Sequence, residues 1–164
     1  DTYHLETARR AVDAGAKVIN TVYDAPVAGM MEILRSNPEV ELVVPLRPGD
    51  EPLSKWGISE EIFNELKPRL YFDPMIGFGT GREDDVKLLG SIPQIAAFGR
   101  VLIGASRKRI VKKLSGERSV GKMLAGNLAL VSWCALKGAS VFRVHDVRET
   151  VQALKVISAL NEHD

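Results

Sequence analysis

Short β-branched apolar runs alternate with amphipathic stretches along the chain. Lys17-Val-Ile-Asn-Thr-Val22, Val40-Glu-Leu-Val-Val44, Arg69-Leu-Tyr-Phe72, Val101-Leu-Ile-Gly104 and Ser140-Val-Phe-Arg-Val144 read as strands. Between them the apolar period changes to that of a helix. Residues 4–14 place Leu5, Ala8 and Val12 on one face, with Asp1 or Thr2 as the expected cap and Gly15 as the stop. Residues 27–36 are expected to be helical up to Asn37-Pro38, and Ser59 to cap a helix that Pro68 ends. Pro45 to Lys55 reads as a loop. Residues 84–97 read as helix interrupted at Gly90 and Pro93, and Ser106 is expected to open a basic helix running to Leu114. A long helix after Gly121 is expected to carry Val120, Leu124, Leu128, Val131 and Ala135 on one side and to close at Gly138. Val147, Val151, Leu154 and Ile157 stripe a final helix.

Strands therefore begin near residues 18, 40, 69, 101 and 140, each followed by a helix. Strict alternation of this kind gives an α/β fold whose parallel sheet is covered by helices. Two architectures fit: an open doubly wound sheet, or part of an eight-stranded β/α barrel. Both put ligands at the carboxyl ends of the strands. No repeat, linker or low-complexity segment divides residues 1–164, which read as a single domain.

Composition narrows the partners. Lys and Arg number 22 and Asp and Glu 21, a net charge of +1 with no surplus for neutralising nucleic-acid phosphates, so no nucleic-acid partner is expected. No apolar run reaches the roughly 18 residues of a membrane span, and charges interrupt every early apolar stretch, so neither membrane insertion nor a signal peptide is expected. Cys134 is the sole cysteine, which excludes an internal disulfide and fits a cytoplasmic setting. It falls mid-helix and reads as core. The chain opens on Asp1 with no initiator Met and reads as starting in mid-fold.

The candidate chemistry sits where strands end: Asn20, Asp73, Ser106 to Lys108, Arg143 and His145. In a parallel sheet these positions share one rim. The plainer reading is that they cap helices and close turns. Asp73 at a strand end suits paired hydrogen bonds from an amino-substituted heterocycle. The loop Asp73-Pro-Met-Ile-Gly-Phe-Gly-Thr-Gly81 lacks the spacing of either nucleotide-binding glycine motif. Ser106-Arg107-Lys108-Arg109 sets cations at a helix start, where anions are favoured, which points to an anionic ligand. Lys112 and Lys113 read as an ordinary solvated face. Arg143 and His145, two apart on a strand, would face one side as an anion pair. His4 and His163 lie in the termini and are assigned nothing. No spacing of His, Cys and carboxylates suggests a zinc site.

Together, Asp1-Thr2, Val18-Ile-Asn20, Asp73-Pro-Met-Ile-Gly-Phe-Gly79, Gly104-Ala-Ser-Arg-Lys108 and Phe142-Arg-Val-His-Asp-Val-Arg-Glu-Thr-Val151 resemble the dihydropteroate synthase family of pterin-binding barrels. The resemblance covers the carboxyl-terminal two-thirds of such enzymes. It implies a β/α barrel of the TIM type, incomplete here because the first strands are missing. It also implies condensation of 6-hydroxymethyl-7,8-dihydropterin pyrophosphate with p-aminobenzoate, giving 7,8-dihydropteroate and pyrophosphate in folate biosynthesis. By the same resemblance Asp1, Asn20, Asp73 and Gly77 contact the pterin, and Lys108 serves the pterin carbonyl side and the aminobenzoate pocket. Arg143 and His145 hold the pyrophosphate. The resemblance further implies catalytic roles for Lys108, Arg143 and His145, Mg²⁺ bound through the pyrophosphate rather than by this chain, and competition by sulfonamides. A homodimer stays open.

The chain departs from the family pattern at Met75, where Gly is usual, at Thr80, where Lys is usual, and at Thr21, where Asp is usual. Pro45-Leu-Arg-Pro48 replaces a His-Met segment. The mobile loops of the family's first strands have no counterpart here, so this chain alone is expected to bind pterin weakly and to make no product. Three other readings stand beside this one. They are a pterin-binding relative without the activity, a methyltetrahydrofolate-binding methyltransferase domain on the same barrel, and a basic interaction module built on Arg107 to Lys122. The Ser-Arg-Lys and Arg-Val-His-Asp segments speak against the methyltransferase.

Overall fold

The computed structural model describes residues 1–22 and 26–161. His163 lies outside them. In chain order the elements are α1 (Leu5–Asp13), β1 (Val18–Asn20), α2 (Val27–Ser36), β2 (Glu41–Pro45), α3 (Pro52–Trp56), α4 (Glu60–Leu66) and β3 (Leu70–Asp73). These are followed by α5 (Arg82–Gly90), α6 (Ile92–Ala96), β4 (Arg100–Ile103), α7 (Arg109–Ser115), α8 (Leu124–Leu136), β5 (Ala139–Phe142) and α9 (Val147–Asn161). Single 3₁₀ turns occupy Lys67–Arg69 and Val120–Lys122.

All neighbouring strands pair parallel, in the order β1-β2-β3-β4-β5. A doubly wound sheet reverses its strand order at a switch point, whereas a β/α barrel adds each strand beside the last. The unbroken order therefore selects the barrel type. Among the described residues five strands make an incomplete arc of an eight-stranded barrel.

Side-chain alternation divides the sheet into two faces. Ile19, Leu42, Val44, Leu70, Phe72, Val101 and Ile103 turn toward the helices, where they join Met30, Met31, Leu34, Leu66, Ile92, Ile95 and Ile110 in one buried cluster. Phe72 is fully buried, with Trp56 stacked 6.3 Å away and Phe63 tilted at 6.4 Å. The opposite face is mixed. Val43 and Leu102 are buried on it, while Tyr71 donates to Glu41 (2.6 Å) and lies beneath the Arg100 guanidinium, 4.0 Å from its ring centre. Val18, at the edge, is 50% exposed.

Several local readings need correction. The cap position of α1 is His4, whose N–H donates to the Thr2 hydroxyl (3.0 Å); Asp1 turns elsewhere. Ser59 does cap α4, accepting from the Ile62 N–H. A helix between β2 and α4 was not expected: α3 forms inside the loop, with Pro52 in its first turn. The buried stripe of the long helix and its entry turn is Met123, Asn127, Val131 and Cys134; of the expected stripe Val131 is buried, Leu128 and Ala135 are half-buried, and Val120 and Leu124 are exposed. Asn127 displaces the purely apolar stripe because its side chain bonds a loop at the sheet rim. In α9 Thr150 is buried, while Val147 and Val151 are exposed. Among the described residues no helix is long and apolar enough to cross a membrane.

Truncating Phe72 removes a ring packed on all sides. Phe72→Ala is expected to cost about 3–5 kcal/mol in equilibrium urea unfolding, and Val18→Ala less than about 0.5 kcal/mol.

Candidate functional site

Asp73 ends β3 and is only 5% exposed. One carboxylate oxygen accepts the Met75 N–H at 2.7 Å. Burial pushes its pKa above the usual carboxylate value, against the Met75 N–H and the positive charges of Lys108 and Arg143. Met75 holds the left-handed conformation with φ 64° and is itself buried. That conformation costs a residue with a Cβ about 1–2 kcal/mol, which is why glycine suits this position. The bend turns the chain sharply after Asp73 and closes on a bond from the Phe78 N–H to the Met75 carbonyl (3.2 Å).

The loop that follows is held from three directions. Lys108 reaches across from the end of the β4 loop, donating through Nζ to the Ile76 carbonyl at 2.8 Å and lying 4.4 Å from the centre of the Phe78 ring. Gly77, at φ 81°, lies under the Lys108 stem; a Cβ there would sit 3.3 Å from Cδ. Arg109 donates to the Thr80 carbonyl, and Arg47, from the loop after β2, donates to the Phe78 carbonyl. Burial pulls the Lys108 ammonium below the ordinary lysine value. Asp73 opposes this, Arg143 adds to it and Asp85 opposes it.

Arg143 projects from the end of β5 toward β1. One guanidinium nitrogen lies 3.1 Å from the Asp1 carboxylate and 3.4 Å from the Asn20 amide oxygen. The Asp1 side chain is held there while its neighbour Thr2 donates its N–H to the Asn20 carbonyl (3.0 Å). The guanidinium also passes over Gly104, where a Cβ would stand 3.4 Å from it. Asp1, Asn20, Asp73, Lys108 and Arg143 thus form one rim of opposite charges, with Gly77 beside Lys108.

His145 has a partner different from those of Arg143. The strand stops at Phe142, so the two residues lie in the loop beyond it and do not share a strand face. Nδ1 of His145 meets the Ser106 hydroxyl at 3.1 Å. That contact replaces the expected cap: α7 starts at Arg109, because Ala105 to Lys108 form a turn with Arg107 at φ 58°. The Asn127 amide oxygen accepts the Arg107 N–H (3.1 Å), and Asp146 pairs with its guanidinium at 2.8 Å.

Sequence reading passed over Asp85. It is 1% exposed, accepts the Gly77 N–H at 2.8 Å and also accepts the Thr80 hydroxyl. An acid in the first turn of a helix is ordinary dipole complementarity, so nothing in the pattern marked it. Arg47 was equally unmarked, inside a proline-rich loop. Among the described residues no three His, Cys, Asp or Glu side chains gather to hold a metal ion.

The pKa of Asp73 has a testable consequence. A carboxyl raised in the fold contributes stability that is full below its unfolded value of 3.8 and lost as pH rises through its folded value. Asp73→Asn is therefore expected to melt above the wild type at pH 7, and the gap to close below pH 3.8, in calorimetric scans across pH.

A family model described as pterin binding enzyme matches residues 59–145, which contain the Asp73 loop, Lys108, Arg143 and His145. A dihydropteroate synthase of Streptococcus pyogenes serotype M6 is 30% identical over 98% of this chain, and the chain spans 65% of that relative's length. The dihydropteroate synthase of Xanthomonas albilineans, solved in complex with 7,8-dihydropteroate, superposes with a TM-score of 0.78 at 32% identity, covering 98% of this chain and 67% of that one. The Thermus thermophilus enzyme in complex with 4-aminobenzoate gives a TM-score of 0.81 at 29% identity, covering 98% and 73%. With the matched model spanning more than half of its residues, the chain belongs to the pterin-binding enzyme family.

Proposed function

We propose that this chain carries the pterin-binding part of a dihydropteroate synthase, joining 6-hydroxymethyl-7,8-dihydropterin pyrophosphate to p-aminobenzoate. The observation that carries this reading is a buried Asp73 facing the charge of Lys108 on the rim where Arg143 and Asn20 also converge. A buried carboxylate with unused acceptor capacity suits the paired N–H donors of an aminopterin. Relatives solved with 7,8-dihydropteroate and with 4-aminobenzoate support the same assignment.

In this reading Asp73 and Asn20 orient the pterin ring, with Asp1 and Gly77 at its border. Arg143 and His145 receive the pyrophosphate. The bond between the pterin methylene and the pyrophosphate oxygen breaks, and its electron pair leaves with the phosphate. The arylamine nitrogen then forms the new bond to that methylene and sheds a proton to solvent. Lys108 and Arg143 act by charge placed beforehand where negative charge develops. Mg²⁺ belongs to this proposal only as a companion of the substrate's pyrophosphate oxygens, its usual partners. Sulfonamide competition at the aminobenzoate position, a cytoplasmic setting and a homodimer belong to it as well. The exposed Leu124, Trp133 and Leu136 of α8 and Val147 and Val151 of α9 favour a second copy.

A pterin-binding relative without the activity is the second reading, favoured by Met75 in a backbone conformation that suits glycine. The chain by itself is proposed to bind weakly and to make no dihydropteroate, because Arg143 is 42% exposed on an open arc where water competes for the anion.

Calorimetric titration with the pterin pyrophosphate tests this. Weak but measurable binding is expected, with Asp73→Ala weaker by about tenfold or more, the loss of charged hydrogen bonds. Equal affinity in wild type and variant would sink the pterin assignment. Dihydropteroate formed by the purified chain would overturn the proposed inactivity.

A further inference from the structure

We infer that Asp85 is the positioning residue of the site: from the first turn of α5 it fixes the loop on which the Asp73 and Lys108 side chains converge. The inference rests on reading that site as pterin-binding.

The bonding pattern makes the case. Asp85 is 1% exposed, and a single oxygen of its carboxylate takes both the Gly77 N–H (2.8 Å) and the Thr80 hydroxyl. Those two bonds clamp both ends of the segment that presents Ile76 and Phe78 to Lys108. Gly77 is held at φ 81° directly under the Lys108 stem, so a slip of its N–H moves the carbonyl that Lys108 grips. The neighbouring straps, from Arg109 to the Thr80 carbonyl and from Arg47 to the Phe78 carbonyl, come from outside and at its far end. Asp85 alone among these groups is buried.

The second oxygen of Asp85 is buried and has no hydrogen-bond partner among the described residues. A neutral amide would accept the same two bonds and place its NH2 where the unpartnered oxygen now stands. The groups facing Lys108 are Asp73 at the end of β3, Arg143 beyond β5 and Asp85 on α5; Asp73 and Asp85 favour its charged form, and burial and Arg143 disfavour it. Asp85 thus acts through geometry, as the acceptor that holds the loop, and its charge only adds to that of Asp73 around Lys108.

Two substitutions separate the acceptor from the charge. Asp85→Asn keeps the acceptor and removes the charge; Asp85→Ala removes both. Three readouts are taken on the whole chain: amide hydrogen exchange at Gly77 and Phe78, NMR titration of the Lys108 side chain, and affinity for 6-hydroxymethyl-7,8-dihydropterin pyrophosphate. In Asp85→Ala, loop exchange is expected to quicken and pterin affinity to fall, each by about tenfold or more, while β3 amides stay protected. In Asp85→Asn the loop stays protected and affinity stays within about threefold, yet the Lys108 midpoint drops. Unchanged loop exchange in Asp85→Ala would overturn the inference. Should Asp85→Ala not fold, Thr80→Val, which removes one of the two donors that Asp85 holds, decides instead: quicker exchange at Phe78 is expected, and unchanged exchange would overturn the inference. If wild type binds no pterin, the pterin reading fails, while the exchange readout, which needs no ligand, still decides the role of Asp85.

Discussion

Because the five strands pair parallel and in chain order, each of their carboxyl ends reaches the same rim. Residues separated by more than a hundred positions in the chain become neighbours there: Arg143 touches Asp1 and Asn20 only because β5 and β1 turn their ends to one side of the arc. The helices, confined to the other face, give the sheet its buried cluster and hold the strand ends in place. Fold and site are two results of one pairing pattern.

What the rim does with this convergence is mainly electrostatic. Asp73 and Lys108 are both removed from water, and burial disfavours the charged form of each. Their mutual attraction offsets part of that cost. A ligand offering paired donors to one and an acceptor to the other replaces the lost water. Such a site is less stable empty than an apolar one would be, a familiar tension between stability and function. The left-handed Met75 adds to it, since the bend that orients Asp73 is held by a residue with a side chain.

The departures from the family pattern acquire physical meaning once the loop is seen whole. Thr80, in place of the usual Lys, gives its hydroxyl to Asp85, and Arg47 in the substituted segment reaches the Phe78 carbonyl. Thr21 turns away from the rim and donates to the Val43 carbonyl at 2.8 Å. The altered positions therefore tie the loop and the strand ends together within the chain.

Much of this was legible in the order of residues. The period of apolar positions placed all five strands, since a strand buried on its helix side must show its β-branched run locally. Asn20, Asp73, Lys108, Arg143 and His145 stood out because polar residues at the ends of such runs have one geometric destination. The choice of barrel over doubly wound sheet needed the resemblance or the strand order, because both arrangements share the same local alternation. The buried face of α8 matches the apolar period at Val131 but not throughout, because Asn127 takes an inward position for a bond to a loop twenty residues earlier. Arg143 and His145 lie in the loop beyond β5 rather than on the strand, and the bond of His145 to the Ser106 hydroxyl joins residues 39 apart in the chain. Asp85 was invisible for the same reason: its partners are defined by where a glycine-rich loop folds back, not by any spacing. Local pattern determined the elements and the rim; which side chains grip one another across it depends on distances that only tertiary packing sets.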